Sequence, residues 1–167
     1  MSIVVDVQTV SVMLASASVV AGVVYYALQL RHQSKTRQSD MVMRLYSYYC
    51  SEEYSRASGR YLATEFKDYE DFQEKYGVVG EHPVTTAFYI VMTFFEGIGV
   101  LLKRKLADIG LLYDLFAVKM PWEKVEPMIQ DIRKHFGEPR LFEWFEYLYN
   151  ETKKYEQKLQ QEGAQNG

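Results

Sequence analysis

The longest uninterrupted apolar stretch lies close to the N-terminus. Residues 7–30 read VQTVSVMLASASVVAGVVYYALQL and contain no charged side chain. A helix of this length, rising about 1.5 Å per residue, spans a hydrocarbon layer of about 30 Å. The pattern predicts a transmembrane helix over 7–30, preceded by a short extracytoplasmic N-terminus over 1–6.

The charges around this stretch predict its orientation. Arg31, Lys35 and Arg37 follow it, whereas Asp6 is the only charged side chain before it. Basic residues remain on the cytoplasmic side of a membrane. We therefore expect a single-pass protein of the plasma membrane, with its N-terminus outside and the rest of the chain in the cytoplasm. A cleaved signal peptide fits less well, because the residues before the apolar run contain no Lys or Arg.

Small residues recur along one side of the predicted span. Ser11, Ala15, Ser18 and Gly22 follow one another at intervals of four, three and four residues. This spacing places them on one stripe of a helix, where a second helix can approach closely. The stripe is therefore a candidate surface for transmembrane helix packing.

Helical spacing continues past the basic segment. Met41, Leu45 and Tyr48 extend it and predict a basic boundary and helical stalk over 31–50. Ser51 is a suitable N-cap for the next helix. We predict a cytoplasmic helical domain over 51–160 and a disordered tail over 161–167. The expected fold class is all-α: a transmembrane helix that continues into a stalk, then a bundle of about five to six helices.

Residues 84–102 are apolar on nearly every side, which is typical of a central bundle helix and also of a second membrane span. Two features favour the bundle helix. Glu96 would lie inside the bilayer at a cost of several kcal/mol. The basic residues at 103–105 would then lie on the outer side, against the charge rule.

The remaining helices are marked by their end signals. Asp108 predicts an N-cap, Pro121 an opening, Pro127 a kink or restart and Gly137 a C-terminal cap. A final helix is expected to begin near Pro139. Its apolar positions alternate spacings of four and three, so its first half should pack on the bundle and its second half could pair with a partner. These positions are Leu141, Phe145, Leu148, Thr152, Tyr155 and Leu159.

Composition excludes some functional classes. A formal net charge of -3 and a pI near 5.7 argue against a nucleic-acid-binding protein, which needs a basic face. Cys50 is the single cysteine, which agrees with a reducing compartment. The three histidines show no zinc-binding spacing. No metal or other cofactor is expected.

Glu96 is the residue with the most distinctive environment. A carboxylate among Phe94, Phe95 and Ile98 must be paired, have a raised pKa or line a cavity. We expect a structural ion pair with Arg60 or Arg133. The alternative is a membrane-surface enzyme or small-ligand sensor with a pocket around Glu96, to which Arg60 or Tyr89 contributes.

Trp122 allows two interpretations. Together with Tyr113 and Phe116 it could form an exposed aromatic anchor for another protein. More commonly such a residue closes a hydrophobic core.

Two segments carry a family resemblance. FFEGIGVLLKRKLADIGLLYDLF, at 94–116, and the stretch from Trp122 to Lys134 resemble a prokaryotic family of short membrane-anchored helical proteins known as a domain of unknown function. The resemblance implies the same anchored helical organisation. It implies no activity and assigns no functional residue.

Together these patterns favour a membrane-tethered protein-interaction or regulatory module, or a small subunit of a membrane complex. The expected partners are the lipid bilayer and either a second copy of the chain or another membrane protein. No catalytic constellation is recognised, so an enzyme is the less favoured class.

Overall fold

The structure is a computed structural model that describes residues 6–78 and 80–165. Within these residues every regular element is helical, which confirms the all-α prediction. The helices are α1 (Val7–Tyr49), α2 (Glu52–Ala63), α3 (Tyr69–Tyr76), α4 (Pro83–Lys103), α5 (Ile109–Leu115), α6 (Lys119–Val125), α7 (Ile129–Phe136) and α8 (Glu143–Gln165), with a 3₁₀ turn at Glu126–Met128. In the described part of the chain, seven α-helices therefore follow α1, more than the five or six expected.

Side-chain caps explain where several helices begin. The hydroxyl of Ser51 accepts the N–H of Tyr54 at 3.2 Å, at the start of α2. The carboxylate of Asp108 accepts the N–H of Gly110 at 2.9 Å, at the start of α5. Each bond satisfies an amide that has no acceptor inside its own helix. Gly137 closes α7 at φ 63°, a left-handed conformation that glycine adopts without a steric penalty. All three caps were predicted.

Two prolines have different effects. Pro121 lies in the first turn of α6, where its missing N–H costs no helical hydrogen bond. The helix begins two residues earlier than predicted, at Lys119. Pro127 falls in the 3₁₀ turn that separates α6 from α7, which confirms the predicted restart.

The chain divides into two units, the first over residues 1–41 and the second over residues 42–167. In the first unit α1 is long and apolar enough to cross a membrane. The stripe residues Ser11, Ala15, Ser18 and Gly22 are all exposed. The hydroxyls of Ser11 and Ser18 donate to backbone carbonyls four residues earlier, so neither polar group hinders an apolar environment. The N-terminus predicted over 1–6 lies outside the described residues except for Asp6.

In the second unit α4 is the central helix, and both α2 and α8 pack against it. Nine of its residues are buried, which agrees with a bundle helix. The ring of Phe95 on α4 stacks on Phe145 of α8 with centroids 4.8 Å apart. The core continues into the later helices through Leu112, Trp122 and Ile132.

The final helix differs from its prediction at both ends. It begins at Glu143 rather than near Pro139, because Phe142 adopts a left-handed conformation at φ 58° that interrupts a helix. It then continues to Gln165, so the segment predicted as a disordered tail is helical as far as the structure describes it. Residues 166–167 lie outside the described residues.

Candidate functional site

Glu96 lies on α4 opposite the first turn of α8. Its Oε2 atom accepts the backbone N–H of Phe145 at 2.7 Å. The backbone N–H of Trp144 also interacts with this carboxylate. The first amides of a helix lack intrahelical acceptors and carry partial positive charge. Glu96 therefore caps α8 from a neighbouring helix.

Burial dominates the electrostatics of Glu96. Partial burial raises the pKa of its carboxyl above the ordinary glutamate value, and the negative charge of Glu143 acts in the same direction. The amides of Phe145 and Trp144 and the charge of Arg133 lower the pKa, but only in part. The cost of removing the carboxylate from water thus exceeds the gain from its hydrogen bonds.

One turn along α4, Gly99 is in close contact with the backbone of α8. A Cβ atom at Gly99 would come within 1.9 Å of the carbonyl oxygen of Trp144. Glu96 and Gly99 are three residues apart, so they occupy the same face of the helix. We call Glu96, Gly99, Trp144 and Phe145 the capping junction. At Gly97, by contrast, an added Cβ would have nothing within 4 Å.

The two arginines proposed as partners of Glu96 are placed differently. Arg133 pairs with Glu146 at 2.7 Å, and its Nε donates to the carbonyl of Leu141 at 3.0 Å. Arg60 lines a shallow surface groove between α2 and the start of α4. Neither forms a salt bridge with Glu96 in the part of the chain that the structure describes. The expected ion pair is therefore replaced by backbone amides, which sequence patterns do not reveal.

Trp122 closes the core. Only 1% of its surface is exposed, and its ring packs edge-on against Phe145 at a centroid distance of 5.1 Å. It is also 6.0 Å from the ring of Tyr149. The core interpretation of this tryptophan holds, and the exposed-anchor interpretation is wrong.

The domain also contains a cavity that the sequence patterns did not predict. A cavity of about 550 Å³ opens between α3, the first half of α4, α7 and the segment that leads to α8. We call it the aromatic pocket. Its walls include Tyr69, Phe72, Phe88, Tyr89 and Phe142. These residues are far apart in the chain and each fits an ordinary amphipathic helix pattern, so only their packing reveals the pocket. Tyr89, which the alternative hypothesis placed in a pocket around Glu96, lines this cavity, whereas Glu96 does not.

Among the described residues, no group of three His, Cys, Asp or Glu side chains is placed to hold a metal ion.

Comparison with known proteins identifies one relationship. No curated protein and no solved structure matches the chain. A family model described as a domain of unknown function, DUF4760, matches residues 15–152. This match includes the second half of the apolar run, the capping junction and the aromatic pocket. Because it covers most of the sequence, the chain belongs to the DUF4760 family.

Proposed function

We propose that the protein is a single-pass protein of the plasma membrane whose cytoplasmic domain is a protein-interaction or regulatory module, or a small subunit of a membrane complex. The observation that carries this proposal is the exposure of the apolar part of α1. Its large side chains, including Val12, Leu14, Val20 and Leu28, are exposed within the structure.

Such a surface must be covered. Each fully buried side chain of this kind contributes about 1.5–3 kcal/mol relative to exposure to water, so more than twenty uncharged residues in one helix favour a lipid environment strongly. The basic residues Arg31, Lys35 and Arg37 support the orientation with the N-terminus outside.

The geometry of Glu96 favours interaction over catalysis. This carboxylate was the leading candidate for an acid or base, and it is engaged by the first amides of α8. Its role in holding two helices together accounts for its position without a reaction.

The small-residue stripe supports assembly with a second copy. At Gly22 an added Cβ would have nothing within 4 Å, so this side of α1 is open to another helix. Van der Waals packing at small residues is a main source of helix association in membranes.

The test is purification of the tagged full chain from native membranes in mild detergent, with crosslinking and native mass measurement. We expect a stoichiometric membrane-protein partner or a homo-oligomer. Gly22→Leu should reduce the crosslinked homo-oligomer, whereas Gly97→Ala, at an open position outside the span, should leave it unchanged. A bare monomer with no partner would contradict the proposal.

The orientation of the chain in the membrane is tested separately by labelling Cys50, the single cysteine. Cys50 is exposed, so a membrane-impermeant maleimide should label it only after the cells are permeabilised. A variant with Cys50→Ser and Ser2→Cys should be labelled in intact cells. The reverse pattern would show the opposite orientation.

A further inference from the structure

The aromatic pocket is marked by exposed apolar side chains at its mouth. Val78, Tyr89 and Phe136 line the cavity and are 52%, 51% and 58% exposed. Outside α1, large apolar side chains with this exposure are few in the described domain. Three of them around one cavity form a patch, and such patches commonly mark binding sites.

Half of the residues that line the pocket carry an aromatic ring. Phe72 and Phe88 are buried at its base with ring centroids 5.4 Å apart. Near the mouth the rings of Tyr69 and His135 are 5.1 Å apart, and Phe136 packs against His135 at 5.0 Å. The face of a benzene or phenol ring carries negative electrostatic potential and attracts organic cations.

Most of the charged side chains around the pocket are negative, like the electrostatic potential of a ring face. Glu138 lines the pocket itself. An adjoining depression shares Tyr69 and His135 with the pocket and is lined by three further carboxylates and one lysine. These are Asp68, Glu70, Asp131 and Lys134. Arg140, two residues after Glu138, forms a salt bridge with Glu143 and also interacts with the charge of Glu138, so the carboxylates named here still outnumber the cations. The mouth therefore attracts positive charge and repels anions.

We propose that the aromatic pocket binds a lipophilic organic cation, with an aromatic or alkyl body inside the cavity and an ammonium group at the mouth near Glu138. The volume of about 550 Å³ fits a small organic molecule. The apolar base covers the body of the ligand, while the rings and the carboxylate compensate the charge. This site lies within the second unit and does not depend on the proposed interaction function.

The test uses three probes that share one body and differ in the head group. These are (4-phenylbutyl)trimethylammonium, 5-phenylpentan-1-ol and 5-phenylpentanoate. Binding to the full chain in maltoside micelles is measured by equilibrium dialysis, with empty micelles as the reference for partitioning. We expect the cation to bind about tenfold more tightly than the alcohol, and the carboxylate to bind most weakly.

Matched variants locate the site. Glu138→Gln should weaken binding of the cation about three- to tenfold and leave the alcohol unchanged, because it removes only the charge. Phe136→Leu keeps an apolar side chain but removes the ring, so it should also weaken the cation selectively. Glu126→Gln, an exposed carboxylate outside the pocket, is the control and should have no effect. Circular dichroism checks that each variant remains folded.

Three results would overturn the proposal. Equal affinities for the three probes after subtraction of partitioning would make the pocket a general apolar cavity. Preference for the carboxylate would identify an acyl-type ligand instead. Cation binding that is unchanged in both Glu138→Gln and Phe136→Leu would place the site elsewhere.

Discussion

Among the residues that the structure describes, two helices are long and apolar enough to cross a membrane, and their environments differ. In α1 the apolar window is fully exposed within the structure, whereas half of the corresponding window of α4 is buried. Helix α4 has α2 and α8 packed against it. A high content of apolar residues thus shows that a helix must be shielded from water. It does not show whether lipid or other helices of the protein shield it.

The polar and small positions distinguish the two helices. In the apolar part of α1, the hydroxyls of Ser11, Ser16 and Ser18 donate to carbonyls of their own helix, so they need no polar partner outside it. In α4, Glu96 is satisfied by amides of another helix, and Gly99 admits that helix at close range. One surface is suited to lipid and the other to a specific protein neighbour.

The largest expected effect is on α1. Replacing both Val19 and Val20 by Arg places two charges near the centre of the apolar run, at a cost of about 5–7 kcal/mol for insertion. The protein should move from the membrane fraction to the soluble or aggregated fraction after an alkaline carbonate wash. Leu at both positions is the matched control and should remain in the membrane. Retention of the arginine variant would show that lipid does not cover this surface.

The second largest effect is on the free energy of unfolding, when one apolar side chain is shortened to alanine in α4 or in α1. Phe95→Ala removes a fully buried ring of α4 and should reduce the free energy of unfolding by about 3–5 kcal/mol. Val23→Ala, at an exposed position of α1, should leave unfolding of the domain unchanged. Urea unfolding in mild detergent, followed by tryptophan fluorescence, measures both. Equal losses would remove the distinction between a core helix and an anchor.

A smaller effect tests the close approach between α4 and α8. Gly99→Ala places a methyl group against the carbonyl of Trp144 and should cost about 1–3 kcal/mol. Gly97→Ala lies in open space and should be neutral or stabilise the domain by up to about 1 kcal/mol, because alanine favours a helix. Gly99→Ala should therefore lower the melting temperature, whereas Gly97→Ala should leave it unchanged or raise it. A neutral Gly99→Ala would contradict the packing at the capping junction.

The smallest effect concerns the charge of Glu96. Its folded-state pKa is raised, so the folded domain binds this proton more tightly than the unfolded chain does. The contribution of Glu96 to stability should therefore increase as the pH falls through the raised pKa toward the ordinary glutamate value. It should be lost as the pH rises above the raised pKa.

Variants at Glu96 separate its charge from its hydrogen bond. Glu96→Gln keeps an acceptor oxygen and should remove this pH dependence with little loss of stability at pH 7. Glu96→Ala removes the cap of α8 and should cost about 1 kcal/mol. The measurement is the difference in unfolding free energy between wild type and Glu96→Gln from pH 4.5 to 7.5. A difference that decreases as the pH falls would contradict the direction of the shift.

Local signals in the sequence predicted much of the fold. Ser51, Asp108 and Gly137 were identified as caps, and each of them forms the predicted cap. The start of α8 was missed because the left-handed conformation of Phe142 has no sequence signal, since a phenylalanine rarely adopts it. The partner of Glu96 was missed for a related reason. Backbone amides are present at every residue, so only the position of α8 selects those of Trp144 and Phe145.

The sequence by itself determined the helical class, the apolar α1, most helix ends and the need to satisfy Glu96. These properties follow from local periodicity, from capping chemistry and from the cost of burying a charge. The tertiary structure alone decided which atoms satisfy Glu96, which glycine permits close packing and which rings line the aromatic pocket. These outcomes depend on residues far apart in sequence that come together only when the helices pack, and no single segment contains that information.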